Sequence, residues 1–180
     1  EGGDFERARI ELLNALKIDP SSSRAYLFLA RTLAGMKDYQ GAASAYANAY
    51  ELAPEDRDIA LEFSRFLTVG RAYEQADAIL QQWVEDHPED TAFLKLLSIA
   101  RANLGKKAQS IKTAREAIDL APDDSDSWLN LARVYLINND PVQAEEAVVR
   151  AKELDPDSLP ASLMMVSILS EKGRTEEALR

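Results

Sequence analysis

The sequence predicts an all-α chain built as a stack of antiparallel helix pairs, and three observations carry that prediction. Five of the seven prolines, Pro20, Pro54, Pro88, Pro122 and Pro156, follow one another at intervals of 34 residues, which marks an internal repeat. Each closes an alanine- and leucine-rich stretch and opens an acidic or small polar one, in the blocks LKIDPSS, YELAPED, VEDHPED, IDLAPDD and KELDPDS. Between these blocks, large and small apolar residues recur at helical spacing.

Setting the repeated proline at position 32 gives repeats 23–56, 57–90, 91–124 and 125–158, with partial repeats 1–22 and 159–180. Position 20 carries Ala8, Ala42, Ala76, Ser110, Ala144 and Ala178, small side chains that let two helices approach closely. Position 27 carries Ala15, Ala49, Ala117 and Ala151, with Trp83 as the exception. A large apolar residue at position 7 (Leu29, Phe63, Leu97, Leu131, Met165) stands beside a mostly small one at position 8 (Ala30, Ser64, Ser98, Ala132, Val166).

These columns predict a helix near 4–17, then pairs near 24–36/39–52, 57–69/73–86, 91–104/107–120, 125–137/141–153 and 159–171/174–180. Each proline block stops one helix and starts the next. Gly105 and Gly173 fall in the short turn inside a pair. No helix pair of such a stack covers its own apolar face, so neighbours bury one another and stability accumulates along the stack.

The columns resemble the tetratricopeptide repeat, across the whole chain. The fourth repeat is the most similar, with Trp128, Leu131, Ala132, Tyr135, Ala144, Ala151 and Pro156 in register. The second departs most, with Ala60 in the aromatic column, Trp83 in a small-residue column and Asp86 where leucine or isoleucine is usual. The third places Arg101 in the tyrosine column. The resemblance implies a right-handed superhelical solenoid that binds proteins and is not an enzyme. Glu1 at the start and Arg180 inside an expected helix suggest a fragment of a longer repeat protein, whose uncapped ends would expose apolar surface and favour end-to-end contacts between copies.

Composition narrows the partners. A net charge of −10 argues against nucleic acid, which attracts basic surfaces. No apolar run approaches the ~18 residues of a membrane span, so direct membrane insertion by this chain is not expected. The absence of cysteine removes thiolate chemistry but leaves cytoplasm and periplasm equally open.

Convergent catalytic groups are not visible, and neither a metal nor another cofactor is expected. His87, the only histidine, sits in VEDHPED. It could join Glu85, Asp86 or Glu89 on a metal, but one histidine among mobile carboxylates makes a poor transition-metal site. The acidic blocks lack the spacing of a calcium loop and are explained by helix N-terminal dipoles.

In the tetratricopeptide architecture, positions 2, 5, 6, 9, 12 and 13 of the first helices face the concave groove. The resemblance therefore implies a groove built from Leu27, Phe28, Arg31, Leu61, Arg65, Lys95, Leu96, Ile99, Leu129, Asn130, Arg133, Leu163 and Met164. Leucines beside arginines on an acidic protein suggest a peptide or protein that is apolar and acidic together. The alternative is that the leucines pack against adjacent first helices and the arginines pair internally, with Glu62 or loop acids. The lysine and asparagine clamp by which one family variant holds C-terminal carboxylates is replaced here by Leu27 and Arg31, or Leu129 and Arg133. The sequence thus points to an interaction scaffold. A second reading makes it a repeat segment that anchors or regulates a larger protein, such as one of bacterial envelope or polysaccharide-export machinery.

Overall fold

The computed structural model describes residues 2–171 and 173. Among them are ten helices and no strand: α1 (Gly2–Ile18), α2 (Ser23–Gly35), α3 (Tyr39–Leu52), α4 (Arg57–Val69), α5 (Tyr73–Asp86), α6 (Thr91–Asn103), α7 (Lys107–Leu120), α8 (Ser125–Ile137), α9 (Pro141–Leu154) and α10 (Leu159–Glu171). The helix expected over 174–180, with Ala178 of the position-20 column, lies outside the described residues.

Local chemistry accounts for the boundaries. The carboxylates of Asp56, Asp124 and Asp140 and the hydroxyl of Ser22 accept backbone N–H groups at the starts of α4, α8, α9 and α2, satisfying donors that a helix start leaves unpaired. The acidic blocks are therefore capping devices at Asp56 and Asp124. At the other end of the first helices, position 15 of each repeat turns left-handed: Lys37, Arg71, Gly105 and Asn139 have φ of 64°, 61°, 73° and 59°. Backbone bonds such as Asp38 N–H to Leu33 C=O (2.9 Å) and Lys37 N–H to Ala34 C=O (3.0 Å) close a Schellman turn at each.

The chain divides into two compact units, Glu1–Ala72 and Tyr73–Arg180. In the N-terminal unit, α2 packs on α1 and α3, and α3 packs on α4. Tyr46 stacks on Phe63 at 6.0 Å between centroids, and Tyr50 reaches the same ring. In the C-terminal unit each helix from α5 to α10 packs on the next, and α6 also touches α8. One apolar cluster runs there from Ala102 through Leu131, Tyr135 and Val148 to Ile168.

The small columns do what close approach requires. Ala42, Ala76, Ser110 and Ala144 at position 20 have no exposed surface, nor do Ala49, Ala117 and Ala151 at position 27. Ala15, in the same column, is exposed on α1. Ser64 and Ser98, both at position 8 and fully buried, differ in partners: Ser98 donates to the Lys95 carbonyl (2.7 Å) and accepts from Asn130 (2.7 Å), whereas the Ser64 hydroxyl has no hydrogen-bond partner among the described residues. A buried unpaired hydroxyl carries its desolvation cost without return. Ser64→Ala is therefore expected to raise stability by about 1 kcal/mol, read as a higher urea midpoint at unchanged slope; a lower midpoint would show that the hydroxyl has a partner.

The two departures from the repeat pattern are both packed. Trp83 on α5 is 8% exposed; its ring stacks on Phe93 of α6 at 4.7 Å and on His87 at 4.3 Å. Its indole N–H donates to an Asp90 carboxylate oxygen at 3.3 Å. Asp90, the N-cap of α6, makes no side-chain cap bond and holds the indole instead. Arg101, in the tyrosine column, reaches Asp77 of α5 (3.3 Å) and the Thr113 hydroxyl of α7 (2.8 Å), while Lys106 donates to the other Asp77 oxygen at 2.6 Å. An ionic bridge thus replaces the aromatic ring where α5, α6 and α7 meet.

Candidate interaction surface

The first helices of the pairs are α2, α4, α6, α8 and α10, and each unit presents its own part of the expected groove residues. In the N-terminal unit, Phe28 (48% exposed), Arg31 and Arg65 are accessible. In the C-terminal unit, Arg133 and Leu163 (61% exposed) are accessible, and Lys95, Leu96, Ile99 and Met164 are half-buried.

Leu27, Leu61, Leu129 and Asn130 require correction. Leu27 has no exposed surface, and the other three are buried at 8%, 5% and 5% exposure. A side chain already out of water has almost no apolar area left to lose to a partner. Leu129 is part of the C-terminal apolar cluster, with Ile99 and Met164 packed against it. Asn130 spends its amide on Ser98, inside the stack.

The cations divide similarly. Arg31 pairs with Glu62, Nε to Oε2 at 2.8 Å, and its guanidinium lies 5.2 Å from the Phe28 ring centroid. The hydrogen bond that Arg31 donates to Glu62, outweighing the opposing effect of burial, raises the Arg31 pKa above its ordinary value. Lys95 bridges Asp124 at 3.2 Å and Asp126 at 2.6 Å. Burial opposes its charge, but these carboxylates prevail and its pKa rises. Asp124 is likewise held below the ordinary carboxylate range: burial raises it, and hydrogen bonds from Ser127 and Lys95 more than offset that. Arg24, at position 2 of the same face, pairs with Asp56 and Asp58. The positive ladder is therefore neutralised at Arg31 and Lys95. Arg65 and Arg133 make no ion pair among the described residues and remain exposed.

These pairings link one first helix to the next. Their sequence signal was an acid near one repeat length from a cation: Arg31 to Glu62 and Lys95 to Asp126 are each 31 residues apart. No group of three or more His, Asp or Glu residues suited to a metal occurs among the described residues, and none of their helices is long and apolar enough to cross a membrane.

A family model described as the cytochrome c-type biogenesis protein H TPR domain matches residues 4–120, and a tetratricopeptide-repeat model matches 113–146. The chain belongs to the tetratricopeptide-repeat family. Among curated relatives of this repeat chain, tetratricopeptide repeat protein 37 of Xenopus laevis is 28% identical over 98% of the chain and 11% of its own length. Protein O-mannosyl-transferase TMTC3 of Homo sapiens is 24% identical over 98% of the chain and 17% of its length. The tetratricopeptide chain thus spans under a fifth of either relative. Solved structures share its fold: PilW, a type IV pilus biogenesis factor (TM-score 0.78, 19% identity, 99% of this chain and 83% of that one), and YrrB, described as a TPR protein with an unusual peptide-binding site (0.71, 22%, 88% and 82%). MamA from Desulfovibrio magneticus RS-1 is a third (0.74, 22%, 87% and 89%).

Proposed function

We propose that this repeat chain is a non-catalytic protein-interaction scaffold that takes an apolar and acidic peptide or protein segment on the exposed residues of its first helices. The observation that carries this reading is one exposed arginine in each unit, Arg65 and Arg133, both at position 9 of their repeats and without an ion pair among the described residues, in a protein of net charge −10. An arginine without an internal acid has all five donors available for a partner carboxylate, and Phe28 in the N-terminal unit and Leu163 in the C-terminal unit supply accessible apolar area on the first helices of their own units.

An array of short end-capped peptides varied in acidic and apolar content tests the reading. Acidic-apolar sequences should be retained, with affinity falling as salt rises. Arg65→Glu with Arg133→Glu should weaken them by at least about tenfold, ~1.4 kcal/mol, at unchanged helical circular dichroism, because exposed substitutions cost under about 0.5 kcal/mol in stability. Equal retention by the charge-reversed protein would overturn the assignment. Arg31 is a poor choice for this experiment, since Arg31→Glu would place a carboxylate against Glu62.

A second reading has its own observation. The chain matches only small parts of long relatives, and its family model is named for cytochrome c-type biogenesis, so the repeats would serve to anchor or regulate a larger protein, such as one of bacterial envelope machinery. A catalytic or membrane domain encoded in the same reading frame would favour it.

A further inference from the structure

In the C-terminal unit, α7, α8 and α9 enclose a cleft of about 440 Å³. Its floor is Trp128, Leu131 and Tyr135, one helical stripe of α8. That stripe lies on the side of α8 opposite Asn130 and Arg133, because residues three and seven apart share a face. One wall, from α7, carries Arg115 and Asp119, and the other, from α9, carries Glu146.

The internal hydrogen bonds of the cleft leave its charges uncompensated. Arg115 donates to the Tyr135 hydroxyl at 3.0 Å, and Glu146 accepts from the Gln143 amide at 3.1 Å. Both partners are neutral. Asp119 makes no hydrogen bond or ion pair among the described residues. A second guanidinium, that of Arg150, lies 6.0 Å from the Trp128 ring centroid, so the aromatic floor accepts a cation; it is ion-paired with Glu153 at 2.7 Å. Arg150 and Glu153 offset each other, so Asp119 and Glu146 on opposite walls still outweigh Arg115, whose guanidinium is already turned to a phenol.

We propose that this cleft binds an arginine side chain projecting from a basic partner segment. Its aliphatic stem would lie on Trp128 and Leu131, and its planar head, with donors on two edges, would reach Asp119 on one wall and Glu146 on the other. The cleft and the first-helix face of the same unit then select opposite charges, so one chain can hold two dissimilar partners at once.

The test uses the ¹⁵N-labelled chain and two end-capped peptides, Gly-Leu-Arg-Leu-Gly and its counterpart with glutamate in place of arginine. The Trp128 indole resonance, identified by its loss in Trp128→Phe, is followed. The arginine peptide should move it and the glutamate peptide should not. Asp119→Asn with Glu146→Gln should weaken the arginine peptide by about tenfold, and Asp119→Asn alone should give part of that loss at an exposed position where folding is not at stake. Arg133→Glu should leave the affinity unchanged, which separates this site from the surface assigned above. Equal shifts from the two peptides, full affinity in the double amide variant, or no Trp128 shift up to about 1 mM peptide would each overturn the proposal.

Discussion

Trp83→Ala is expected to lower stability by about 3 kcal/mol, at the lower end of the range for truncating a buried tryptophan. The indole is 8% exposed and stacks between Phe93 and His87, so removal leaves a cavity where α5 meets α6. It also frees an Asp90 carboxylate oxygen from the indole N–H. Trp83→Phe keeps a ring against Phe93 and loses that hydrogen bond and part of the indole's volume, so it should cost less, about 1–2 kcal/mol. Urea denaturation followed by far-ultraviolet circular dichroism reads both. A loss under about 0.5 kcal/mol for the alanine variant would mean that the ring does not fill the junction and serves instead as a binding anchor.

Asp77→Ala is expected to cost a similar ~3 kcal/mol, by a different mechanism. Asp77 is 8% exposed and its two oxygens each hold a cation, Arg101 at 3.3 Å and Lys106 at 2.6 Å. Deleting the acid leaves Arg101 partly buried without a countercharge, and the penalty is that of the stranded charge more than of the lost pair. The double variant Asp77→Ala with Arg101→Tyr, which restores the aromatic ring of that column, should recover much of the loss. A double variant no more stable than Asp77→Ala alone would show that the α5–α6–α7 junction cannot accommodate the ring.

Trp83 and Arg101 were visible in the sequence as exceptions to a column, yet only their oddness was legible. Trp83 replaces a small residue, and its ring is buried against Phe93 of α6 and His87 of the loop before it. Arg101 replaces tyrosine, and nothing local indicates Asp77, which lies 24 residues earlier on another helix. The comparison within the chain is instructive: at the corresponding place in the next repeat, Tyr135 meets Arg115 through its hydroxyl, so the same junction is bridged once by an ion pair and once by a phenol.

The sequence by itself determined the helices, their order and their period. The spans expected for α2 to α10 agree with the structure within one residue at each end, for example 57–69, 73–86 and 125–137. Those features depend on local chemistry: proline excluded from helix interiors, carboxylates capping N-termini, small residues at fixed spacing. Tertiary structure decided which face residues meet solvent. The resemblance to the tetratricopeptide repeat placed Leu27 and Phe28 together on the groove side, but one has no exposed surface and the other is about half exposed. Likewise Arg31 and Arg65 occupy the same column, and only Arg31 meets an acid, Glu62 of the following repeat. Exposure and pairing are set by how closely neighbouring helices approach and which side chains arrive opposite each other, and a column records the angle of a residue around its own helix only.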